Sequence, residues 1–370
     1  MSAITPSTMQ LNRLKWETTT EYNTGLDASF LKGKLRFTVD VYQKYIKDLL
    51  QKKVKMPTSI GYGNGYEVSY MNSGKMTNKG WEFRVDAVPF ENRDWRVGFY
   101  FNIAHNENKI TEMPDNYTEE NYTFNNGEYA YRREEGRPMG SFYGYRYKGV
   151  CQNKDATYAR DADGNVMKDI SGNAIVMRNG TATIAPGDAL YEDINHDGVI
   201  NQYDIVYLGN SNPRFTGGAG VNVSYKQFKL SAIFYGRYGQ DVVNSTRLNN
   251  ESMRGIDNQS TAVLRRWRNE GDQTDIPRAL YGEGYNTLGS DRFVEDASYL
   301  RLKSLSFNYR LPKKIIQRWG FSNIDVYVTG YNLFTWTKYT GQDPEVKTEN
   351  TYARDSATTP ASIQLVAGFN

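Results

Sequence analysis

Apolar and polar residues alternate with a period of two through much of the chain, the mark of a strand with one apolar face. In residues 21–30, Tyr22, Thr24, Leu26, Ala28 and Phe30 share one face and Glu21, Asn23, Gly25, Asp27 and Ser29 the other. After the turn LKGK, Leu35, Phe37, Val39 and Val41 oppose Arg36, Thr38, Asp40 and Tyr42. A third run sets Trp81, Phe83, Val85 and Ala87 against Glu82, Arg84 and Asp86. Beyond PFENRD, a fourth sets Trp95, Val97, Phe99, Phe101 and Ile103 against Arg96, Gly98, Tyr100, Asn102 and Ala104. Further strands are expected at 216–225, 228–238, 299–311 and 324–334, and a ninth in the terminal ASIQLVAGFN. Slips of phase near Ser304 and Gly330 predict bulges.

The connections carry a second signal. Short joins alternate with long ones at 45–79, 107–214, 239–298 and 335–360. In a meander, alternating connections fall on opposite ends of the sheet, so every short turn lies at one end and every long loop at the other. A tenth alternating stretch, GSFYGYRYKGV at 140–150, would break this parity by crossing the sheet and is therefore expected within a loop. Strands near ten residues, one-sided loops and an apolar face predict an all-β fold, an antiparallel transmembrane β-barrel. Trp16, Trp81, Trp95 and Trp336 are expected at or near strand ends, where an amphipathic ring rests at the membrane interface. Arg36, Asp40, Arg84, Asp86, Arg96 and Arg310 then face the lumen, since a cation at the bilayer midplane costs roughly 2–4 kcal/mol. A soluble, calcium-stabilised β-domain that binds carbohydrate gives the same alternation and is the alternative.

Composition narrows this picture. The 370 residues carry a net charge of only +3, so no polyanion is implied and nucleic acid is not an expected partner. With one cysteine, Cys151, neither an intrachain disulfide nor a thiolate metal cluster can form. The chain holds 29 tyrosines and 16 phenylalanines, far more than an ordinary soluble domain needs. No apolar run reaches the roughly 18 residues of a membrane helix. The opening MSAITPSTMQLNRLKWE lacks the apolar segment of a signal peptide, which taken alone would place the chain in the cytoplasm. The strand pattern argues against that placement.

One loop stands apart. DINHDGVINQYD sets Asp193, Asn195, Asp197, Asn201 and Asp204 at positions one, three, five, nine and twelve, with the carbonyl of Val199 at position seven. This is close to a calcium loop, in which oxygens converge around a bend permitted here by Gly198. The last donor is Asp rather than Glu, and Pro186 and Gly187 before the loop leave no place for a flanking helix pair, so a structural Ca2+ clip is expected rather than a sensor. A turn closed by its own side chains is the alternative. DADGN at 161–165 reads as a hairpin turn, and KYIKDLLQKKVK as the start of a solvated loop. His105 and His196 are expected at surface or packing positions.

Several segments, in order, are similar to one family: LKWETTTEYNTGLDASFL, FTVDVYQKYIKDLL, NSGKMTNKGWEF, GRPMGSFYGYRYKGV, GDALYEDINHDGVINQYD, SYLRLKSLSFNYRLP and VYVTGYNLFTWTKYTGQDPE. The chain resembles, nearly end to end, the C-terminal portion of SusC-like (RagA-like) TonB-dependent outer-membrane transporters. The resemblance implies a barrel of about 22 strands with a plugged lumen, of which these would be the last nine or so. It also implies a SusD-like surface lipoprotein over the outer mouth, TonB at the periplasmic side, outer-membrane lipid around the wall, and import of oligosaccharides or peptides. Because no plug or TonB box is recognisable and the chain ends on GFN, a barrel fragment is expected.

No nucleophile, base and orienting group stand together, so catalysis is not expected. The loop aromatics Tyr117, Tyr122, Phe124, Tyr129, Tyr131 and Tyr143, beside Asn, Glu and Arg, are the expected contacts to substrate or partner. Packing of these rings among the loops themselves is the competing expectation.

Overall fold

The computed structural model describes residues 14–55, 67–72, 74–113, 128–130, 133–282, 284–346, 348–349, 352–357 and 359–370. Nine strands form one antiparallel sheet in which each pairs only with its neighbours in sequence. They are β1 (Thr18–Phe30), β2 (Leu35–Lys47), β3 (Lys75–Glu91), β4 (Trp95–Glu112), β5 (Phe215–Tyr225), β6 (Phe228–Tyr238), β7 (Tyr299–Arg310), β8 (Asp325–Thr337) and β9 (Gln364–Phe369). Joins at 31–34, 92–94, 226–227 and 311–324 lie at one end, and those at 48–74, 113–214, 239–298 and 338–363 at the other. The expected parity therefore holds. The stretch 140–150 forms two short strands, Ser141–Gly144 and Tyr147–Val150, that stay among the long loops. Among the described residues no helix is long and apolar enough to cross a membrane.

The register turns alternation into two faces. Val41, Trp81, His105 and Phe215 stand on the outer face, with ring centroids 6.2 Å apart for Trp81–Phe215 and 5.3 Å for His105–Phe215. Tyr238 lies 6.4 Å beyond Phe215, and Phe234 stacks 6.5 Å from Trp336. At the short-turn end, Trp95 packs 4.3 Å from Tyr225 and Phe228 4.6 Å from Tyr309. These are two aromatic belts bounding a wall of exposed Leu26, Phe101, Val221, Leu230 and Val328, as a lipid-facing surface requires. A soluble domain would have to leave this whole wall in water, which removes the alternative reading.

The lumen face is polar and braced. Lys44 reaches Glu21 at 3.3 Å, Arg84 pairs with Asp86 at 2.7 Å, and Arg310 with Asp325 at 2.9 Å. Three tyrosines on this face lie directly across a strand pair from a glycine: Tyr42 from Gly80, Tyr100 from Gly220 and Tyr327 from Gly368. A methyl group on Gly220 would lie 2.2 Å from Tyr100 Cε1, so the ring occupies the space of the missing side chain. The same holds at Gly80, where Tyr42 also donates from its hydroxyl to Asn106 at 3.1 Å.

Three details depart from expectation. β3 and β4 run 17 and 18 residues rather than about ten, past the roughly 9–11 that cross a bilayer. Their upper ribbon is held by Lys75–Glu112 and by Lys79–Glu107 at 3.0 Å, and it places Trp81 within its strand rather than at its end. The PFENRD turn is shorter than expected, because β3 continues past Pro89 to Glu91 with a bulge between Ala87 and Phe90. Pro lacks a ladder donor, and a bulge is where a strand accommodates it. The register does slip between Leu302 and Ser304, but on β8 the extra residues fall at 332–333, with Asn332 at φ 52°, rather than at Gly330.

Candidate functional site: the long-loop assembly

The long loops pack on one another around cores of their own. Tyr143, Tyr145, Tyr191, Ile200, Ile205 and Leu288 meet in the first. Phe142, Val243, Leu248, Phe293 and Tyr352 form a second, and Val242, Ala297, Tyr339 and Ala353 a third. Side chains therefore cross from the 113–214 connection to those at 239–298 and 338–363, making one body.

Buried charge pins these connections together. Asp188, fully buried, accepts from Arg278 Nε at 2.7 Å and Nη2 at 3.1 Å, and from Asn286 Nδ2 at 3.2 Å. Beside it Gly187, at φ +90°, lets Trp267 close so tightly that a Cβ would sit 2.3 Å from the indole. Arg292 lies between the rings of Tyr147 and Phe293 and donates to Glu251 at 2.8 Å. Glu251 also takes Arg247, which reaches Glu295, and Glu295 accepts from the amide of Thr340 at 2.9 Å. The GQDPE motif has a mechanical role: Asp343 and Glu345 bind Arg301, and Glu345 binds Lys303 at 2.9 Å, tying the 338–363 connection to the lumen face of β7. Such pairs hold geometry more surely than they add stability, because desolvating each charge offsets much of the attraction.

The expected contact residues divide. Tyr129 and Tyr143 are buried in the loop cores, at 7% and 0% exposure. Tyr129 donates to the carbonyl of Ser290 at 2.7 Å and Tyr143 to Glu134 at 2.8 Å. Burial pushes the Tyr129 hydroxyl far above its ordinary range. These two rings hold loops together rather than present a face to a ligand. Tyr117, Tyr122, Phe124 and Tyr131 lie outside the described residues. Among the described residues of the long loops the exposed rings are instead Tyr203, at 68%, and Tyr281, at 78%, which alternation could not single out because loops have no repeating face.

The calcium-type loop is closed by its own hydrogen bonds. Asp193 accepts from the amides of Asp197 at 3.2 Å and Gly198 at 2.8 Å; Asn195 accepts from Asp197 and donates to its carboxylate at 2.9 Å. Asp204, fully buried, accepts from Ile194 and Asn201, both at 2.8 Å. Asn201 donates to the carbonyl of Val199 at 3.0 Å and caps the turn that carries Tyr203. Burial, followed by the charges of Asp193 and Asp197, raises the Asp204 carboxyl above the ordinary carboxylate range. Among the described residues no group of three or more His, Cys, Asp or Glu side chains is arranged to hold a metal ion. His196, at φ 55°, projects outward from the loop, and His105 sits in the outer belt with Nδ1 2.6 Å from the carbonyl oxygen of Arg214. DADGN is a tight turn in which Asp161 accepts from the amides of Asp163 and Asn165. Cys151 is buried, and burial pushes its thiol up to about 11, which leaves it unreactive.

Sheet, belts and loop assembly together have recognisable counterparts. Residues 3–333 match the family described as TonB dependent receptor-like, beta-barrel. TonB-dependent receptor P3 of Formosa agariphila is 32% identical over 349 residues, which are 92% of this chain and 32% of that protein. TonB-dependent receptor SusC of Bacteroides thetaiotaomicron is 27% identical, over 90% of this chain and 30% of its own length. The chain thus spans about a third of the curated relatives it matches. The structure of the RagAB peptide transporter superposes with a TM-score of 0.70 at 26% identity, over 96% of this chain and 35% of that one. This chain belongs to the TonB-dependent receptor β-barrel family, and its nine strands are wall of an outer-membrane barrel.

Proposed function

We propose that this chain contributes wall and outer mouth to a TonB-dependent importer of oligosaccharides or peptides that works with a SusD-like surface lipoprotein and with TonB. The observation that carries the proposal is the loop assembly: an ion-paired body at one end of a membrane wall, with Tyr203 and Tyr281 displayed on its surface. Likeness to the RagAB peptide transporter supports peptide cargo, and likeness to the receptor named SusC supports a SusC-like importer. The chain acts as a conduit and carries out no catalytic step. Uptake of labelled oligosaccharides and peptides by intact cells, with and without the protein, tests this. Loss of uptake of one cargo class on deletion is expected; unchanged uptake of both defeats the proposal.

We propose also that the loop at 193–204 takes Ca2+ as a structural clip, through Asp193, Asn195, Asp197, Val199, Asn201 and Asp204. Support comes from the donor spacing and from the mutual repulsion of three neighbouring carboxylates, which a cation would relieve. The ion would have to draw one or more of these groups away from the amides they hold in the structure.

A further inference from the structure

Charge is distributed unevenly along the barrel axis. The whole chain nearly balances 45 Lys and Arg against 42 Asp and Glu. The four short joins do not: they hold two cations at 31–34, one at 92–94, one at 226–227 and three at 311–324, against a single acid, Asp94. Two of these cations reach a carboxylate, and only at long range, Lys34 to Glu91 at 3.7 Å and Lys226 to Asp94 at 4.0 Å. Among the described residues Lys32, Arg93, Lys313, Lys314 and Arg318 have no ion-pair partner.

The 311–324 join carries the largest share of this charge and has a shape of its own. After Pro312 a helical turn, Lys313–Ile316, passes into a tighter turn, Gln317–Trp319, which Gly320 ends at φ 77°. Ile316 is buried, and its carbonyl accepts from the Phe321 amide at 3.2 Å, which folds the segment back on itself. Ile315 and Phe321 are left 44% and 55% exposed beside the exposed Lys313, Lys314 and Arg318. Exposed apolar groups set among cations are the mark of a segment that lies in a membrane interface.

Position agrees with that reading, because the short joins continue the lower aromatic belt. The 311–324 join leaves β7 just after Tyr309, whose ring stacks on Phe228. Lys226 lies 5.3 Å over the ring of Tyr225, which packs on Trp95 in the same belt. Leu31, 72% exposed, follows Phe30 at the end of β1. These cations therefore stand at the edge of the hydrocarbon, at the depth of lipid phosphates.

We propose that the short-turn rim, centred on the 311–324 join, binds anionic phospholipid, with Ile315 and Phe321 entering the leaflet and Lys313, Lys314 and Arg318 meeting the phosphates. Complementary charge favours an anionic over a zwitterionic headgroup, and the apolar pair favours a lipid over a soluble anion. The proposal rests on the membrane wall and is independent of the import reading, since lipid binding is measured without transport.

The test uses the purified protein in dodecylmaltoside micelles containing equal amounts of phosphatidylglycerol and phosphatidylcholine, read by native mass spectrometry. Preferential retention of phosphatidylglycerol is expected, with the preference falling several-fold as salt rises from about 50 to 200 mM. A basic side chain at an anionic surface is worth roughly fivefold in affinity, so Lys313→Glu with Lys314→Glu should lower phosphatidylglycerol retention at least about tenfold. Lys154→Glu with Lys168→Glu, the same charge change in the long loops, should leave it unaltered. Ile315→Ser with Phe321→Ser should lower retention of both lipids. Where the reversed variant loses its heat-modifiable migration, Lys313→Gln with Lys314→Gln reads the same loss. Equal retention of the two lipids, an equal loss in the long-loop variant, or displacement of phosphatidylglycerol by glycerol phosphate or polyglutamate of the same charge would each overturn the proposal.

Discussion

The sheet and the loop assembly solve opposite problems with the same residue types. On the sheet, tryptophan and phenylalanine point outward, and Trp336 and Phe334 are 52% and 61% exposed; ionic side chains and the tyrosines Tyr42, Tyr100 and Tyr327 line the interior. In the loops, Tyr143, Phe142 and Phe293 are instead shut inside. The sheet meets hydrocarbon and the loops meet water, so the rule for what is buried inverts along one chain. Stability should therefore be separable: changes in the loop cores should loosen loops without melting the wall, and changes at the lumen face should do the reverse.

The sharpest way to break this separation is Asp188→Ala. It strips Arg278 and Asn286 of their common partner, and breaking a buried pair costs about 3–5 kcal/mol; Arg278 is partly exposed, so the low end is expected. Hydrogen exchange should rise across 185–190 and 239–298 while heat-modifiable migration persists. Collapse of both would show that the two regions are one cooperative unit.

The reciprocal change is Gly220→Val. Displacing Tyr100 should cost about 1–3 kcal/mol of wall stability through overpacking. The temperature at which folded migration is lost should fall, with loop exchange unaltered. A drop in loop protection instead would reverse the assignment of regions.

Calcium should act on the loops alone. At about ten times its dissociation constant it would add about 1.4 kcal/mol. Protease resistance of the 193–204 segment should rise with Ca2+, and Asp193→Ala with Asp197→Ala should abolish the gain. Resistance indifferent to calcium would leave the loop as a self-closed turn.

The smallest expected effect is one of pH. Burial raises the Asp241 carboxyl, partly offset by its bond from the Asn210 amide. A folded pKa above the unfolded one means the folded loops bind this proton more tightly. Stability from this site therefore grows as pH falls through the window just above the ordinary carboxylate value, and is lost as pH rises through it. Asp241→Asn should remove that slope and, at neutral pH, leave loop stability equal or higher by less than about 1 kcal/mol. A slope that survives the substitution must come from another group.

How much of this was legible in sequence follows from the same inversion. Lipid contact imposes strict alternation, so nine strands, their faces and the side of each connection could be read from Leu35, Phe37, Val39 and their counterparts. The upper ribbon of β3 and β4 could not, because Lys75–Gly80 and His105–Glu112 leave the bilayer and with it the reason to alternate. In the loops the aromatic content was visible but its direction was not. Tyr129 and Tyr203 look alike in sequence; one is sealed by Ser290 and its neighbours, and the other is lifted outward by the cap at Asn201. The donors of the calcium-type loop were legible as a spacing, whereas their commitment to backbone amides depends on three-dimensional closure.

The tyrosine–glycine pairs of the lumen face have a consequence for how the wall is put together. A sheet whose strands are added one after another can mispair by two residues and still keep every apolar group on the lipid side. Tyr42 would then meet Asn78 or Glu82 instead of Gly80, and Tyr327 would meet Val366 or Asn370 instead of Gly368. Only one alignment lets each ring lie down. Along β2–β3 and β8–β9, these rings work like the teeth of a ratchet, checking strand alignment at the very positions where the lipid-facing pattern is blind to error.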